Sequence, residues 1–139
     1  MKTSIWGPVY WRALHSLAHH YDGRKKRAYK ALFGNLLYKL IPCAKCRRHY
    51  RRRLPIANQV FQSHETLTMW LYDLHKDINT RVAEIKRIAY NPPTYQHYII
   101  NGKLRKDHVG RMMILVSNLQ LNEKIKLQFW LLLSEILST

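Results

Sequence analysis

Two cysteines separated by two residues, Cys43 and Cys46, form the most reactive combination of side chains in this sequence. Pro42 precedes them and can open a helix, so both sulfurs would lie on one helical turn and could close a disulfide across it. Cys43 would lie nearest the unpaired N–H groups of that turn, with Lys45 and Arg47 close by, so we expect its thiolate to be stabilised. Because a thiolate both attacks and leaves in thiol–disulfide exchange, the pair is a candidate redox centre.

The same segment allows two other interpretations. Cys43, Cys46 and His49 could be three ligands of a zinc ion, with a distant histidine as the fourth. Structural zinc sites usually present a second closely spaced ligand pair, whereas His19 and His20 are adjacent and the other histidines are scattered. The cysteines could also be ordinary reduced thiols. Spacing alone favours a redox pair over zinc and leaves all three interpretations open.

The composition excludes several classes of protein. With 139 residues, 47% of them apolar, the chain has room for one domain with a hydrophobic core. No apolar run approaches the ~20 residues of a membrane span. The first ten residues lack the basic start and long apolar stretch of a secretory signal. Two cysteines are also too few for a disulfide-stapled secreted miniprotein.

Helical periodicity dominates the sequence, and no alternating strand pattern stands out. Apolar residues recur at three- and four-residue spacing within the segments 11–18, 29–40, 67–82, 109–116 and 125–137. The cysteines fall on a further helix between the second and third of these segments. We therefore predict an all-α fold.

Residues that start or stop helices mark the predicted boundaries. Pro8 suits the first turn of the first helix, and Gly23 follows its end. Ser63 is the predicted N-cap of the long fourth helix. Thr94 is the predicted N-cap of a short fifth helix that ends near Gly102.

Three motifs stand in order along the chain. The first reads WGPVYWRALH at residues 6–15, the second PCAKC at residues 42–46, and the third WLYDLHKDIN at residues 70–79. In this order and at these separations they resemble the Erv/ALR family of FAD-linked sulfhydryl oxidases, whose pattern is WGxxxWxxLH, PCxxC and W…HNxVN. The resemblance covers about residues 4–100 and is greatest to the minimal oxidases of large DNA viruses.

The resemblance implies an architecture: a four-helix bundle plus a short fifth helix, with extra C-terminal helices. Residues 1–101 would form the FAD-binding sulfhydryl oxidase bundle. Residues 102–139 would form a C-terminal helical extension that packs on the bundle or at a dimer interface. The family's usual state also implies a homodimer.

The resemblance further implies which residues bind FAD. On the first and fourth helices they are Trp6, Gly7, Trp11, His15, His75, Ile78, Asn79 and Arg81. Of these, His75, Ile78 and Asn79 would hold the adenine and ribose end, and Arg81 would lie near the phosphates. Tyr21 and Tyr95 are further aromatic candidates.

The implied activity is FAD-dependent oxidation of thiols, which forms disulfide bonds in partner proteins. A substrate dithiol would attack Cys43 and release Cys46, which would lie against the isoalloxazine and pass the electron pair to FAD. Dioxygen would reoxidise the flavin and yield hydrogen peroxide. The partner would be a protein dithiol, such as an acidic thioredoxin-like or CxxC protein.

The sequence departs from the family pattern at several points. Lys76 stands where the family has asparagine, and Glu84 where a lysine often lies. Many relatives carry a second disulfide or a shuttle cysteine pair, and this sequence has neither. A substrate would therefore reach Cys43 directly.

The charge balance is strongly positive, with 24 Lys and Arg against 8 Asp and Glu and a net charge of +16. Half of the basic residues lie between Asp22 and Arg53, where they would surround the expected site. Such a field attracts an acidic partner or the FAD pyrophosphate. No sequence-reading nucleic-acid motif is present, so we do not expect nucleic acid as a partner.

The alternative function is a basic helical nucleic-acid-binding or virion-assembly protein, with zinc held by Cys43, Cys46 and His49. By analogy with the family, a viral protein would lie in the host cytoplasm or the virion, and a cellular one in the mitochondrial intermembrane space. No membrane partner is expected.

Overall fold

The computed structural model describes residues 1–101 and 104–138, and every regular element within these ranges is helical. The helices are α1 (Thr3–His20), α2 (Lys26–Ala31), α3 (Leu37–Leu40), α4 (Ala44–Arg52), α5 (His64–Lys86), α6 (Tyr95–Asn101), α7 (Lys106–Ser117) and α8 (Glu123–Leu137). A π-helical turn, Leu32–Leu36, joins α2 to α3, and a 3-10 turn, Asn58–Phe61, precedes α5. The predicted all-α fold is confirmed. None of these helices is both long and apolar enough to cross a membrane.

Most of the predicted helix boundaries agree with the structure. Ser63 caps α5: its hydroxyl accepts from the Thr66 backbone N–H at 3.2 Å, and the Thr66 hydroxyl accepts from the Ser63 N–H. Thr94 accepts from the N–H of His97 at 3.3 Å at the start of α6. The predicted stop at Gly102 lies outside the described residues, as does Thr139 at the end of the predicted extension.

The prediction for Pro8 is wrong. α1 begins at Thr3, so Pro8 lies inside the helix and not in its first turn. A proline there has no N–H to donate to the carbonyl four residues earlier, which belongs to Ser4. Ser4 is exposed, so this carbonyl can be hydrated and the helix continues.

The bundle is held by apolar faces that meet in one core. α1 packs against α5, α3 packs against α4, and the 3-10 turn packs against α5. The centre of the core is fully buried and includes Leu17, Phe33, Leu40, Leu67 and Leu71. Side chains at helical spacing thus supply the buried apolar area that stabilises the fold.

The C-terminal helices α7 and α8 join the same core. α7 packs against α1, and α8 packs against α2 and the π-helical turn. Their inward side chains are at most 2% exposed: Val109, Met112, Val116, Phe129, Leu133 and Ile136. Hydrogen bonds fix both ends of this extension. The N–H of Arg105 donates to Ser16 Oγ at 2.6 Å, and Lys25 Nζ donates to the carbonyls of Ile136 and Ser138 at the end of α8.

Buried tyrosine hydroxyls connect the helices to one another. Each donates to a backbone carbonyl of another element: Tyr10 to Leu40 at 2.6 Å, Tyr29 to Leu17 at 2.7 Å, and Tyr50 to Phe33 at 2.5 Å. Burial raises the pKa of all three phenols, which therefore stay protonated donors. Each bond satisfies a buried phenol that would otherwise lack an acceptor.

We expect Tyr50→Phe to lower the free energy of unfolding by about 0.5–1.5 kcal/mol, because it removes the hydrogen bond that joins α4 to the Phe33 carbonyl. Denaturant unfolding followed by circular dichroism measures the change. Tyr38→Phe is the matched control, since its half-buried hydroxyl makes no hydrogen bond within the described residues. Equal stability losses in the two variants would contradict the assigned role of the Tyr50 hydroxyl.

Candidate active site

The cysteine pair lies at the start of α4. Cys43 is the N-cap of this helix, and its Sγ accepts from the backbone N–H of Cys46 at 3.3 Å. Pro42 follows the end of α3 and separates it from α4, since a proline cannot continue a hydrogen-bonded helix. Both cysteines are free thiols and only partly exposed. The geometry therefore places the two side chains on one turn, as predicted from their spacing.

The two thiols differ in acidity. Burial raises the pKa of Cys43, but hydrogen bonds from the Cys46 thiol and from the N–H groups of Cys46 and Lys45, with the charge of Arg47, outweigh it and leave that pKa lowered. Burial raises the pKa of Cys46, and the hydrogen bond and charge of Cys43 raise it further. In the reduced pair, Cys43 therefore loses its proton first.

Cys46 also lines a cleft of about 400 Å³, which Cys43 does not reach. The walls are mainly apolar and come from α1, α3, α4 and α5 and from the residue after α3. They include Trp6, Gly7, Tyr10, Trp11, Leu37, Ile41, His49, Leu74, Ile78, Val82 and Ile85. Lys45, Arg81 and Lys86 add positive charge to the lining. A large apolar cleft with a few polar groups is the usual form of a cofactor site.

Two features of α1 fit a flat aromatic ligand with hydrogen-bond acceptors. The indole Nε1 of Trp6 is buried in this wall and has no hydrogen-bond partner among the described residues. A side chain at Gly7 would meet only Thr3 of its own helix, at 3.6 Å, so the space in front of Gly7 belongs to the cleft. A buried donor without an acceptor is costly, and a ligand oxygen or nitrogen would satisfy it.

A cluster of stacked rings adjoins the cleft through Trp11. The rings of Trp11 and His75 are stacked at 3.9 Å with an interplanar angle of 9°. His15 Nε2 and His75 Nδ1 are 2.9 Å apart, and His15 stacks on Tyr98 at 4.5 Å. Burial lowers the pKa of His15 to about 3 and that of His75 to about 4, so both are neutral at pH 7. One imidazole can then donate to the other.

The structure brings most of the predicted cofactor residues together. Trp6, Gly7, Trp11, Cys46, Ile78 and Arg81 line the cleft, and His15 and His75 form the adjoining ring cluster. Asn79 lies one turn after His75, with its Nδ2 3.4 Å from the Tyr90 hydroxyl. Tyr95 bonds Thr68 Oγ1 at 2.8 Å and so holds α6 against α5.

Tyr21 does not reach the cleft. Its side chain is 1% exposed, and its hydroxyl donates to the Phe61 carbonyl at 2.5 Å. Its ring packs against Tyr29 in the core. Tyr21 is therefore a core residue, and its assignment as a candidate FAD contact is corrected.

The two departures from the family pattern lie outside the cleft. Lys76 is exposed, and its Nζ lies 5.9 Å from the centre of the Tyr72 ring. Glu84 is exposed and is not part of the lining, whereas Arg81 and Lys86 are. Neither departure therefore changes a residue that lines the cleft.

Sequence reasoning missed several residues in the lining of the cleft and beside it. Tyr10 and Leu14 extend the stripe of Trp6 and Trp11 at helical spacing, so periodicity could have identified them. Asp77 accepts from Arg53 at 2.6 Å and lies 3.8 Å from Arg81, and it thereby ties the end of α4 to the cleft. No comparable pattern in the sequence indicates Tyr98, because its position depends on how α6 folds back.

The geometry gives no support to the zinc alternative. His49 does line the cleft beside Cys46. Within residues 1–101 and 104–138, however, no group of three His, Cys, Asp or Glu side chains is placed to hold a metal ion.

Comparisons with known proteins agree with the geometry. The Erv1/Alr family model matches residues 8–97, which is more than half of the chain. The "Probable FAD-linked sulfhydryl oxidase" of Acanthamoeba polyphaga mimivirus is 31% identical over 86 residues, covering 57% of this chain and 59% of that protein. The chain thus spans less than two thirds of this relative.

Two further relatives are FAD-linked sulfhydryl oxidases of African swine fever virus isolates. One is 31% identical over 80 residues, covering 55% of this chain and 67% of that protein; the other is 29% identical over 101 residues, covering 69% and 84%. No solved structure matches the chain. The family match takes in both cysteines and the cleft-lining parts of α4 and α5, and on this basis the chain belongs to the Erv1/Alr family.

Proposed function

We propose that this protein is an FAD-linked sulfhydryl oxidase that forms disulfide bonds in partner proteins. The observation that carries the proposal is the position of Cys46, one member of a cysteine pair, in the wall of an apolar cleft with an unpartnered Trp6 N–H. The names of the viral relatives support the same activity.

The cleft and the ring cluster together supply contacts for each part of FAD. Trp6, Gly7, Trp11 and His15 would contact the cofactor from α1. His75, Ile78 and Asn79 would hold the adenine and ribose end, and Arg81 would pair with the phosphates. FAD, when bound, supplies the electron acceptor for the dithiol and transfers electrons to dioxygen, which gives hydrogen peroxide.

The exchange step is carried out by the cysteines themselves. A substrate thiolate attacks Cys43 Sγ of the Cys43–Cys46 disulfide, the S–S bond breaks, and Cys46 leaves with the electron pair. A second substrate thiolate then attacks the substrate sulfur of the mixed disulfide, forms the substrate disulfide and releases Cys43 as a thiolate. The lowered pKa of Cys43 makes it the better leaving group in this second step.

A protein dithiol of acidic character is the proposed substrate class. Four exposed basic residues follow Cys43 along α4, which has no acidic residue: Lys45, Arg48, Arg51 and Arg52. A positive surface beside Cys43 attracts an acidic partner and orients it during encounter. A thioredoxin-like or other CxxC protein has this chemistry.

A homodimer and a viral location complete the proposal. The dimer is supported by large apolar side chains that the monomer leaves exposed. The host cytoplasm or the virion is the proposed location, supported by the viral origin of the relatives.

We expect wild-type protein purified with FAD to be yellow, and its flavin absorbance to bleach when dithiothreitol is added without oxygen. Cys46→Ser should keep the flavin and lose the thiol-dependent bleaching, because the sulfur that lines the cleft is gone. Cys43→Ser should lose oxidation of a protein dithiol. Spectra and oxygen uptake measure both effects. Full oxidase activity in either variant contradicts the proposed roles of the two cysteines, and a colourless protein that cannot be loaded with FAD contradicts the proposed function.

We expect His75→Ala to weaken FAD binding by about 1–2 kcal/mol, or roughly 5- to 30-fold in Kd, because it removes the ring that stacks on Trp11. Flavin retained after gel filtration measures the loss, and FAD should also raise the Tm of this variant less than that of wild type. His20→Ala is the matched control, since His20 is exposed on α1. Unchanged flavin content in His75→Ala would remove this residue from the site.

We expect the two thiols of the reduced protein to be alkylated in different pH ranges. Iodoacetamide reacts with thiolates, so each thiol is labelled only at pH values that ionise it. Labelling of Cys43 should begin at a lower pH than that of an ordinary cysteine, and labelling of Cys46 at a higher pH. Peptide mass spectrometry after short pulses at a series of pH values gives both curves. The reverse order of labelling would contradict the assignment of Cys43 as the more acidic thiol.

A further inference from the structure

The outer face of α8 carries an exposed apolar stripe. Lys124, Leu127, Leu131 and Glu135 follow one another at three- and four-residue spacing, so they share one side of the helix. Leu127 is 58% exposed and Leu131 60%, although both are large apolar side chains. This side is opposite the face of Phe129 and Leu133, which is buried in the core.

The stripe continues onto α7. Trp130, 40% exposed, borders a shallow hollow of about 270 Å³ that it shares with Leu127 and with Ser117 of α7. Ile114, one turn before Ser117, is 65% exposed. The exposed apolar surface therefore spans the α7–α8 pair and is larger than a single scattered side chain, which favours an interface.

The charges at the two ends of the stripe have opposite signs. Lys124 lies at the start of α8 and Glu135 at its end, each in the turn where the helix dipole disfavours its charge. An antiparallel copy of α8 would bring Glu135 of the partner subunit to Lys124, and Leu131 of the partner subunit to Leu127. Both charges would then be paired, and the partner's charge would lie at the favourable end of the helix dipole.

The overall charge restricts where two copies can meet. At +16 the two chains repel each other, most strongly through surfaces such as α4, on which every charged residue is basic. α8 has two lysines and two glutamates and is neutral over its length. The inward faces of α7 and α8 already cover parts of α1 and α2, so those parts of the bundle are closed to a second copy.

We propose that a second copy of this chain docks on the outer face of α7 and α8, with the two α8 helices antiparallel about a two-fold axis near Trp130. This surface would serve the homodimer proposed above, and it does not depend on the oxidase activity. It belongs to the extension, beyond the residues 8–97 that match the family.

Sedimentation velocity of the FAD-loaded protein over a range of concentrations tests the dimer. Wild type should sediment as a dimer and Leu131→Glu as a monomer, because two glutamates would be forced into the apolar contact. Ile56→Glu, which places the same charge at an exposed apolar residue outside the surface, should remain a dimer. Circular dichroism and flavin content should be unchanged in both variants, which separates loss of the dimer from misfolding.

A charge exchange tests the antiparallel arrangement. Lys124→Glu and Glu135→Lys should each weaken the dimer at least several-fold in Kd, and the double variant should restore it. A wild-type monomer, a Leu131→Glu dimer of wild-type stability, or a double variant no stronger than the single variants would overturn the proposal. So would a monomeric wild type that binds anionic phospholipid vesicles through Leu131, since the surface would then serve a membrane.

Discussion

Two hydrogen bonds from buried tyrosines fix the cysteine pair relative to the rest of the fold. Tyr10 of α1 holds the Leu40 carbonyl at the end of α3, and Tyr50 of α4 holds the Phe33 carbonyl in the π-helical turn. The chain between these anchors contains Pro42 and both cysteines, so its path is determined at both ends. Tyr10 also lines the cleft, so the residue whose hydroxyl anchors the segment before Cys46 is itself part of the wall of the proposed cofactor site.

The site combines an apolar interior with positive charge at its edge. An apolar wall excludes water and so strengthens the electrostatic effect of each nearby charge. Lys45, Arg81 and Lys86 are exposed at the edge of the cleft, where their charged groups stay partly hydrated. Asp77, paired with Arg53 and close to Arg81, links α4 to α5 across this edge. The acidity difference between the two thiols arises from the same local geometry. Hydrogen bonds from the Cys46 thiol and from the N–H groups of Cys46 and Lys45 lower the pKa of Cys43, whereas burial and the neighbouring Cys43 raise the pKa of Cys46.

Local sequence patterns predicted the helices and the cysteine turn, because spacing and capping act over a few residues. The resemblance of the motifs also picked out part of the cleft lining, including Trp6, Trp11 and Ile78. Tyr21 was assigned wrongly because an aromatic residue at a helix end fits a core as well as a ligand. The π-helical turn and the position of Tyr98 could not be predicted, since each depends on tertiary packing that outweighs local preference. Pro8 was misplaced because no capping side chain marks the start of α1 at Thr3.

The hydrogen bonds of Lys25 to the end of α8 bear on the order in which the chain folds. Lys25 adopts a left-handed backbone conformation (φ 57°) in the turn after α1 and bonds carbonyls more than a hundred positions later in the chain. During synthesis the ribosome releases α1 and α2 well before α7 and α8. Until α7 and α8 emerge, the apolar faces of α1 and α2 that they cover remain exposed to water. A nascent chain at this stage exposes apolar surface, as an aggregation-prone folding intermediate does, and a chaperone would bind it. Docking of α7 and α8 then buries that surface.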